Sequence, residues 1–304
     1  MTGYLHPAYA DSLVEFGTPR ALSRSSGWIL ERPIPNTAKS DAMGCYPMFA
    51  CQDWSQLGAD LAELEGRLVS LALVADPFSG VQPAELARLF DRVVHFKDHY
   101  LVQLEQVPED YITQHHRYYA RKAFRSARVE YCECPGDYLD EWAGFYDALI
   151  IRHGLRGIKA FSRNAFAKQL AVPGVIMLRV IADGAPVGAH LWYRQGDVAY
   201  SHLMAINGTG YGIGAAYALY WTAIEFFRRQ FSGQIRWLNL GAGAGMAGDA
   251  NDGLSKFKKG WSNAVRPAYF CGRILDREAY SDIVGSRELP ETGYFPAYRH
   301  GELV

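Results

Sequence analysis

No apolar run in this chain approaches the eighteen or so residues that a membrane-spanning helix needs, and no apolar core follows Arg20 and Arg24 as it would in a signal peptide. Neither a span nor a leader is expected, and the cytoplasm is the default location. Cysteine is scarce. Cys45, Cys51, Cys132, Cys134 and Cys271 are odd in number and scattered, which excludes a disulfide scaffold. Cys132-x-Cys134 lacks both the two-residue gap and the second pair of a zinc knuckle, so no metal is expected and reduced, partly buried thiols are the reading. Excess charge is missing too: 31 Lys and Arg stand against 32 Asp and Glu. That balance argues against a surface that is basic throughout, and leaves room for a local basic patch. A heptad run of coiled-coil length is also absent.

What the 304 residues do hold is 49% hydrophobic and 21% charged, enough to bury a sizeable core. At roughly 150 residues per domain, two modest domains or one large one would fit. In the first half, helical spacing over Tyr4 to Phe16 and a strand over Gly27 to Ile34 precede Asp53, which reads as the N-cap of a helix to about Glu65. The strand Arg67 to Ala75, a helix started by Pro83 and ending near Phe90, and a strand region Val93 to Gln106 complete a βαβ rhythm. That rhythm indicates a mixed or parallel sheet with helices packed on it.

From Pro108 to about Ala127 the pattern predicts one long helix with a concentrated basic surface. Arg117, Arg121 and Arg125 recur every fourth residue and line one face, with Lys122 beside them. Such a stripe is either a solvated face or an anchor for phosphates. A strand from Val129 to Cys134 and helices over Tyr138 to His153 and Arg163 to Leu170 follow. Then come three strands of an antiparallel meander, Val175 to Ala182, Val187 to Arg194 and Val198 to Ile206.

Two glycine-rich stretches follow strands. Backbone N–H groups at a helix N-terminus can cradle a phosphate, so Gly208, Gly210 and Gly212 ahead of the helix Ala216 to Phe231, and Gly243-x-Gly245-x-x-Gly248 after the strand Ile235 to Leu240, are candidate cradles. Both also satisfy the loose dinucleotide fingerprint. However, an antiparallel meander precedes the first and a short polar run follows the second, which leaves tight turns as the plainer reading. Leu254 to Trp261 reads as a short basic-aromatic helix and Pro267 to Ile274 as a closing strand.

The order of meander, glycine-rich turn, amphipathic helix, strand and final helix-strand resembles the GNAT acyltransferase superfamily. Its pyrophosphate turn is Gln/Arg-x-x-Gly-x-Gly/Ala; Asn207-x-x-Gly210-x-Gly212 matches it except at Asn207. Phe257-Lys258-Lys259-Gly260-Trp261 resembles the Phe-Lys-x-x-Trp/Phe element of the FemABX-like branch, whose members take aminoacyl groups from tRNA. Arg121-Lys122-Ala123-Phe124-Arg125 and Arg152-His153-Gly154 are similar to that branch as well. The resemblance covers about Pro108 to Ile274 and implies an α/β fold of two tandem GNAT-like domains with the N-terminal one degenerate. The first would span 1–107 with part of 108–155, the second 156–304, with the substrate cleft between them.

It further implies an N-acyltransferase that moves an aminoacyl group from aminoacyl-tRNA to the amine of a small molecule or peptide precursor, forming an amide. Aminoacyl-tRNA would be a co-substrate, with no tightly bound cofactor. Lys258 would be the cation at the donor's phosphate or ester oxygen, and His153 and His202 candidate proton acceptors. Arg117, Arg121, Lys122, Arg125, Lys256 and Lys259 would meet phosphates. Tyr200, Asn239, Phe257 and Trp261 would line the pocket. Two alternatives stay open: acyl-CoA as the donor, on the strength of the glycines from Gly208 to Gly214, and a non-catalytic RNA- or nucleotide-binding module, on the strength of Tyr118 and Tyr119 beside the basic residues. Lys258, for its part, could be one of three solvated lysines.

Overall fold

The computed structural model describes residues 1–244, 252–287, 290 and 293–302. The chain divides into two compact units: a flanking unit of residues 4–97 and 267–304, and a central unit of residues 1–3 and 98–266. The expected boundary near residue 155 differs from this division. The last strand and its following helix return to the flanking unit because that strand hydrogen-bonds to a strand of the first hundred residues.

The flanking unit opens with α1 (Pro7–Asp11), β1 (Thr18–Leu22), β2 (Gly27–Pro33), β3 (Ser40–Gly44), α2 (Leu57–Leu64), β4 (Ser70–Val74) and α3 (Pro83–Leu89). β5 (Arg92–Gln103) leads into the central unit, which continues with α4 (Pro108–Tyr111), α5 (Gln114–Ala123), β6 (Ala127–Cys132), α6 (Leu139–His153), α7 (Arg163–Gln169), β7 (Val175–Ala182), β8 (Ala185–Gln195) and β9 (Val198–Ile206). It ends with α8 (Gly208–Ile213), α9 (Ala215–Gln230), β10 (Trp237–Asn239) and α10 (Gly253–Lys259). β11 (Ala264–Ile274) and α11 (Arg277–Gly285) close the flanking unit.

The meander and the helices around it stand where the sequence pattern puts them. Asp53 is the predicted cap, its carboxylate accepting the Ser55 N–H at the start of a single 3-10 turn that runs into α2. Two expectations change. The helix over Tyr4 to Phe16 shortens to a 3-10 turn and α1. The long helix from Pro108 breaks at Ile112 and Thr113, which are extended; Thr113 recaps the chain by accepting the His116 N–H, and α5 ends at Ala123. Arg117 and Arg121 therefore share a helix, whereas Arg125 lies beyond its end in a turn.

Pairing in the central unit runs β5-β10-β9-β8-β7-β6, antiparallel throughout except that β10 and β9 are parallel. In the flanking unit it runs β1-β2-β3-β4-β11, antiparallel except that β3 and β4 are parallel. Each unit is thus a mixed sheet with the same core motif, one parallel pair with antiparallel strands on either side. The N-terminal copy is one strand shorter. Leu57, Leu61 and Leu64 of α2 and Leu86 of α3 bury against Ile29, Leu71 and Leu73 of the flanking sheet, while Leu219, Ala223, Ile224 and Phe227 of α9 cover the central one. This is the apolar helical stripe packed on a pleated face that the sequence pattern indicates.

Candidate active site

The parallel pair of the central unit holds for three residues only, Trp237, Leu238 and Asn239 of β10 opposite Val198, Ala199 and Tyr200 of β9. Past Tyr200, β9 stays with β8 as far as Ile206, with an irregularity in register at Leu191 and Trp192. The chain after β10 turns the other way: Leu240 N–H donates to Tyr100 O at 2.9 Å and Tyr100 N–H to Gly241 O at 3.1 Å. Two strands that are each paired outward, and no longer to each other, make a fork. In the flanking unit the corresponding parallel pair is closed again beyond β3, where the fully buried Phe49 bridges to Ala75.

Lys258 stands on the β10 arm of the central fork. Its Nζ donates to Ala242 O at 2.7 Å, and it is half-buried while Lys256 and Lys259 on the same helix are exposed. The three lysines are therefore not equivalent: α10 turns one of them inward. Phe257 and Trp261 fix that orientation. Trp261 is fully buried and stacked on Tyr220, their ring centroids 5.9 Å apart, and Phe257 packs edge-on against Tyr217 and Tyr220 at 5.1 Å each. His116 of α5 closes the arrangement. Its Nε2 donates to Phe257 O at 2.9 Å and its Nδ1 accepts from Thr113 Oγ at 2.6 Å, while Thr113 N–H donates to Gly260 O. The basic α5 and the Phe-Lys element are thereby joined as one piece, and the break at Thr113 is what allows it.

On the β9 arm, Ser201 is the first residue after pairing with β10 ends. Its Oγ lies 2.8 Å from His190 Nε2 and is hydrogen-bonded to the Tyr220 hydroxyl. His190 is completely buried, against Trp192 and Tyr220 with centroids 4.5 and 4.9 Å away. Burial, and after it the positive charge of Lys258 and the neighbouring His202, push its imidazole down to about 3, so the ring is neutral. Sequence reading misses this network. His190 is a histidine inside an apolar strand, and only the register of β8 on β9 brings it to Ser201.

Other expected residues are placed differently. His202 is buried on the opposite face, its Nε2 3.2 Å from Gln169 Oε1 and its ring beside Tyr193. Burial lowers it to about 3. A neutral, enclosed imidazole of that kind is core structure, which corrects its assignment as a proton acceptor. His153 is exposed as the last residue of α6, while its neighbour Arg152 lies 3.9 Å above the Tyr211 ring of α8. The expected four-residue pocket divides across the sheet. Leu238 and Leu240 join the core that holds Trp261, so Asn239 between them points to the other side, as Tyr200 does between Ala199 and Ser201. There Asn239 Oδ1 meets His99 Nδ1 at 3.0 Å and accepts Gly241 N–H at 2.9 Å.

The glycine segment is also reassigned. Gly208 to Ile213 form α8, with Asn207 as its N-cap accepting the Gly210 N–H at 2.9 Å. Gly210 is required because a Cβ there would meet Val187 O at 2.6 Å; Gly208 and Gly212 face open space. One N–H of the expected cradle is thus already taken, by the residue that departs from the superfamily pattern. Of the second fingerprint, Gly245 and Gly248 lie outside the described residues. Arg121, Lys122 and Arg125 are exposed, and Arg117 donates to Glu109 O at 2.8 Å. Among the described residues no group of three or more His, Cys, Asp or Glu gathers as metal ligands, and no helix is long and apolar enough to cross a membrane.

Residues 112–258 match the family model described as an acetyltransferase (GNAT) domain. Among curated proteins none matches the chain in sequence. Of solved structures, FemX is similar over 91% of this chain and 93% of its own at 14% identity and a TM-score of 0.66. The C-terminal DUF2156 domain of a putative lysylphosphatidylglycerol synthetase from Agrobacterium fabrum is similar over 87% and 86% at 17% identity and 0.63. L-PGS from Bacillus licheniformis is similar over 90% and 93% at 16% identity and 0.57. At such identities the likeness is one of fold. The chain is accordingly a GNAT-fold protein of the FemX-like architecture, with its GNAT domain at residues 112–258.

Proposed function

We propose that this GNAT-fold acyltransferase moves an aminoacyl group from aminoacyl-tRNA to the amine of a small molecule or peptide precursor, forming an amide. The observation that carries the reading is Lys258, turned inward at the fork and braced through Phe257 and His116 to the basic helix α5. A cation at the end of a strand pair suits the phosphate or ester oxygen of an anionic donor, and the exposed Arg121, Lys122 and Arg125 continue positive charge outward on the same piece. Lys256 and Lys259 are proposed to add to that surface. The name of one structural neighbour, a putative lysylphosphatidylglycerol synthetase, agrees with an aminoacyl donor.

Acyl-CoA is the competing donor, favoured by the acetyltransferase description of the matching domain. Against it, Asn207 occupies the Gly210 N–H that a diphosphate cradle would use. Incubation with radiolabelled aminoacyl-tRNAs and a panel of amines separates the two. Label passing from tRNA to an amine supports the proposal, while consumption of acyl-CoA with the tRNA label retained overturns it. Binding of tRNA with no transfer from either donor leaves the non-catalytic module.

A further inference from the structure

The aromatic residues of α5 divide by what covers them. Tyr119 lies against α9, stacked on Tyr217 with ring centroids 5.2 Å and planes 28° apart, and His115 one turn earlier packs on the Tyr119 ring at 4.6 Å. His115 Nε2 also lies 3.4 Å from the Tyr217 hydroxyl, which ties the three rings together. Tyr118 is different: it meets Tyr119 at 5.3 Å with the planes 88° apart, and it is 52% exposed. One ring is thus braced by its neighbour and open to solvent. Arg121 and Lys122 stand three and four residues further on, the spacing that brings helical side chains together, and Lys122 Nζ lies 5.7 Å from the Tyr119 centroid. Between Asp110 and Glu130 the chain holds no carboxylate, and Glu225, the one carboxylate of the facing α9, is already paired with Arg228 and Arg229. The face therefore suits an anion that also carries a ring. Its position says which: Tyr217 packs on Phe257 at 5.1 Å, so three ring contacts, Tyr118 to Tyr119 to Tyr217 to Phe257, lead from the open tyrosine to the residue beside the inward Lys258.

We propose that Tyr118 stacks an unpaired base near the ester at the donor's 3′ end, with Arg121 and Lys122 on the phosphates that flank that base. The inference rests on the aminoacyl-tRNA reading above and deepens it by giving the base its seat. The 3′ end of a tRNA is single-stranded, so its bases have open faces, and any base can stack on an aromatic ring whatever its identity. That tolerance suits a donor held by its end rather than by its sequence. The adenosine of CoA offers the same chemistry of ring and phosphate, but its phosphates gather at one nucleotide. Cations spread from Arg121 to Arg125, along the helix and past its end, follow a backbone of successive phosphates instead. Stacking contributes affinity without charge, so Tyr118 acts on binding and leaves the salt dependence alone, the opposite signature to that of its cationic neighbours.

The test compares Tyr118→Ala and Tyr118→Phe with the wild type in binding tRNAs whose unpaired 3′ nucleotides are replaced in turn by 2-aminopurine, a base whose fluorescence stacking quenches. The expected result is a quench at one of these positions in the wild type and in Tyr118→Phe, which keeps the ring, and none in Tyr118→Ala. Affinity of Tyr118→Ala should fall on the order of 10-fold to 100-fold, with Tm and the salt slope unchanged. A tRNA trimmed of its unpaired 3′ end should bind Tyr118→Ala and the wild type alike, and added CoA should leave the quench in place. No quench in the wild type, full affinity in Tyr118→Ala, a loss that persists with the trimmed tRNA, a shallower salt slope, or displacement of the base by CoA overturns the stacking role. Transfer from aminoacyl-tRNA by the same wild-type protein would then leave the acyl-transfer reading standing. Stacking without aminoacyl transfer overturns that reading and keeps the role, and a wild type that binds no tRNA overturns both.

Discussion

The His116 imidazole stands against the place where a side chain on Gly260 would begin: it donates to Phe257 O at 2.9 Å, and a Cβ on Gly260 would come within 2.0 Å of its Cε1 and 2.4 Å of both ring nitrogens. The short helix carrying Lys258 therefore stays at its place through a close approach that no residue with a side chain at 260 permits. Gly260→Ala should overpack this contact and cost about 1–3 kcal/mol, seen as a lower Tm. His116→Ala removes the obstructing ring, so the double variant should be less destabilised than the sum of the two single ones. Additive effects would show that the two positions do not share this space.

Acidification should weaken the fold before the carboxylates titrate. Burial lowers His116, and pushes His190 and His202 down to about 3. In the unfolded chain each histidine titrates near 6.5. Folded values below unfolded ones mean that the stabilisation is complete above about pH 6.5 and is lost as pH falls through the window towards 3. Each such histidine contributes a slope of up to about 1.4 kcal/mol per pH unit. Urea midpoints at pH 7.5, 6.0 and 5.0 should fall steadily in the wild type and less steeply in His202→Gln. Equal midpoints across that range contradict buried neutral rings.

Lysine substitutions on α10 should separate by position rather than by charge. Lys258→Met removes the cation on Ala242 O while keeping the stem's bulk, and is expected to lower kcat by at least tenfold, about 1.4 kcal/mol in the transition state. Lys256→Met and Lys259→Met, on the exposed face, should raise KM for the tRNA donor a few-fold with kcat preserved. Three similar profiles would mean that the inward turn of Lys258 has no part in the reaction.

The sequence carries the fold further than it carries the site. Alternation and turn residues mark β7, β8 and β9, and the stripe on α9 marks its buried face, because these depend on local periodicity. Lys258 is legible through the motif around it. The fork is not, since it exists only as pairing that stops at Asn239 and Tyr200, a relation between residues 39 positions apart in sequence. For the same reason His190 and Ser201 read as two separate polar residues in apolar strands. β1 and β3 escape notice because they are five residues each and pair across short hairpins. The break at Thr113 escapes too: helical spacing runs through it, and a distant Gly260 carbonyl decides it.

Salt dependence tests the basic residues of α5 and of the turn after it one by one. Arg121, Lys122 and Arg125 are exposed, so replacing any one by alanine should leave Tm nearly unchanged. If each meets a phosphate of the donor, each replacement should weaken tRNA binding and make log K against log salt shallower by about 0.7–0.9, the counterion released per phosphate contact. Arg117 should behave otherwise. Its guanidinium holds Glu109 O at 2.8 Å and so secures α4 on the turn before α5. Arg117→Ala should therefore lower Tm with a smaller change in the salt slope. Filter binding of aminoacyl-tRNA between 50 and 300 mM salt, roughly the range over which phosphate contacts dominate, measures both. An unchanged slope in the triple variant Arg121→Ala, Lys122→Ala and Arg125→Ala would mean that the donor's phosphates lie elsewhere and that this stripe is only a solvated helix face.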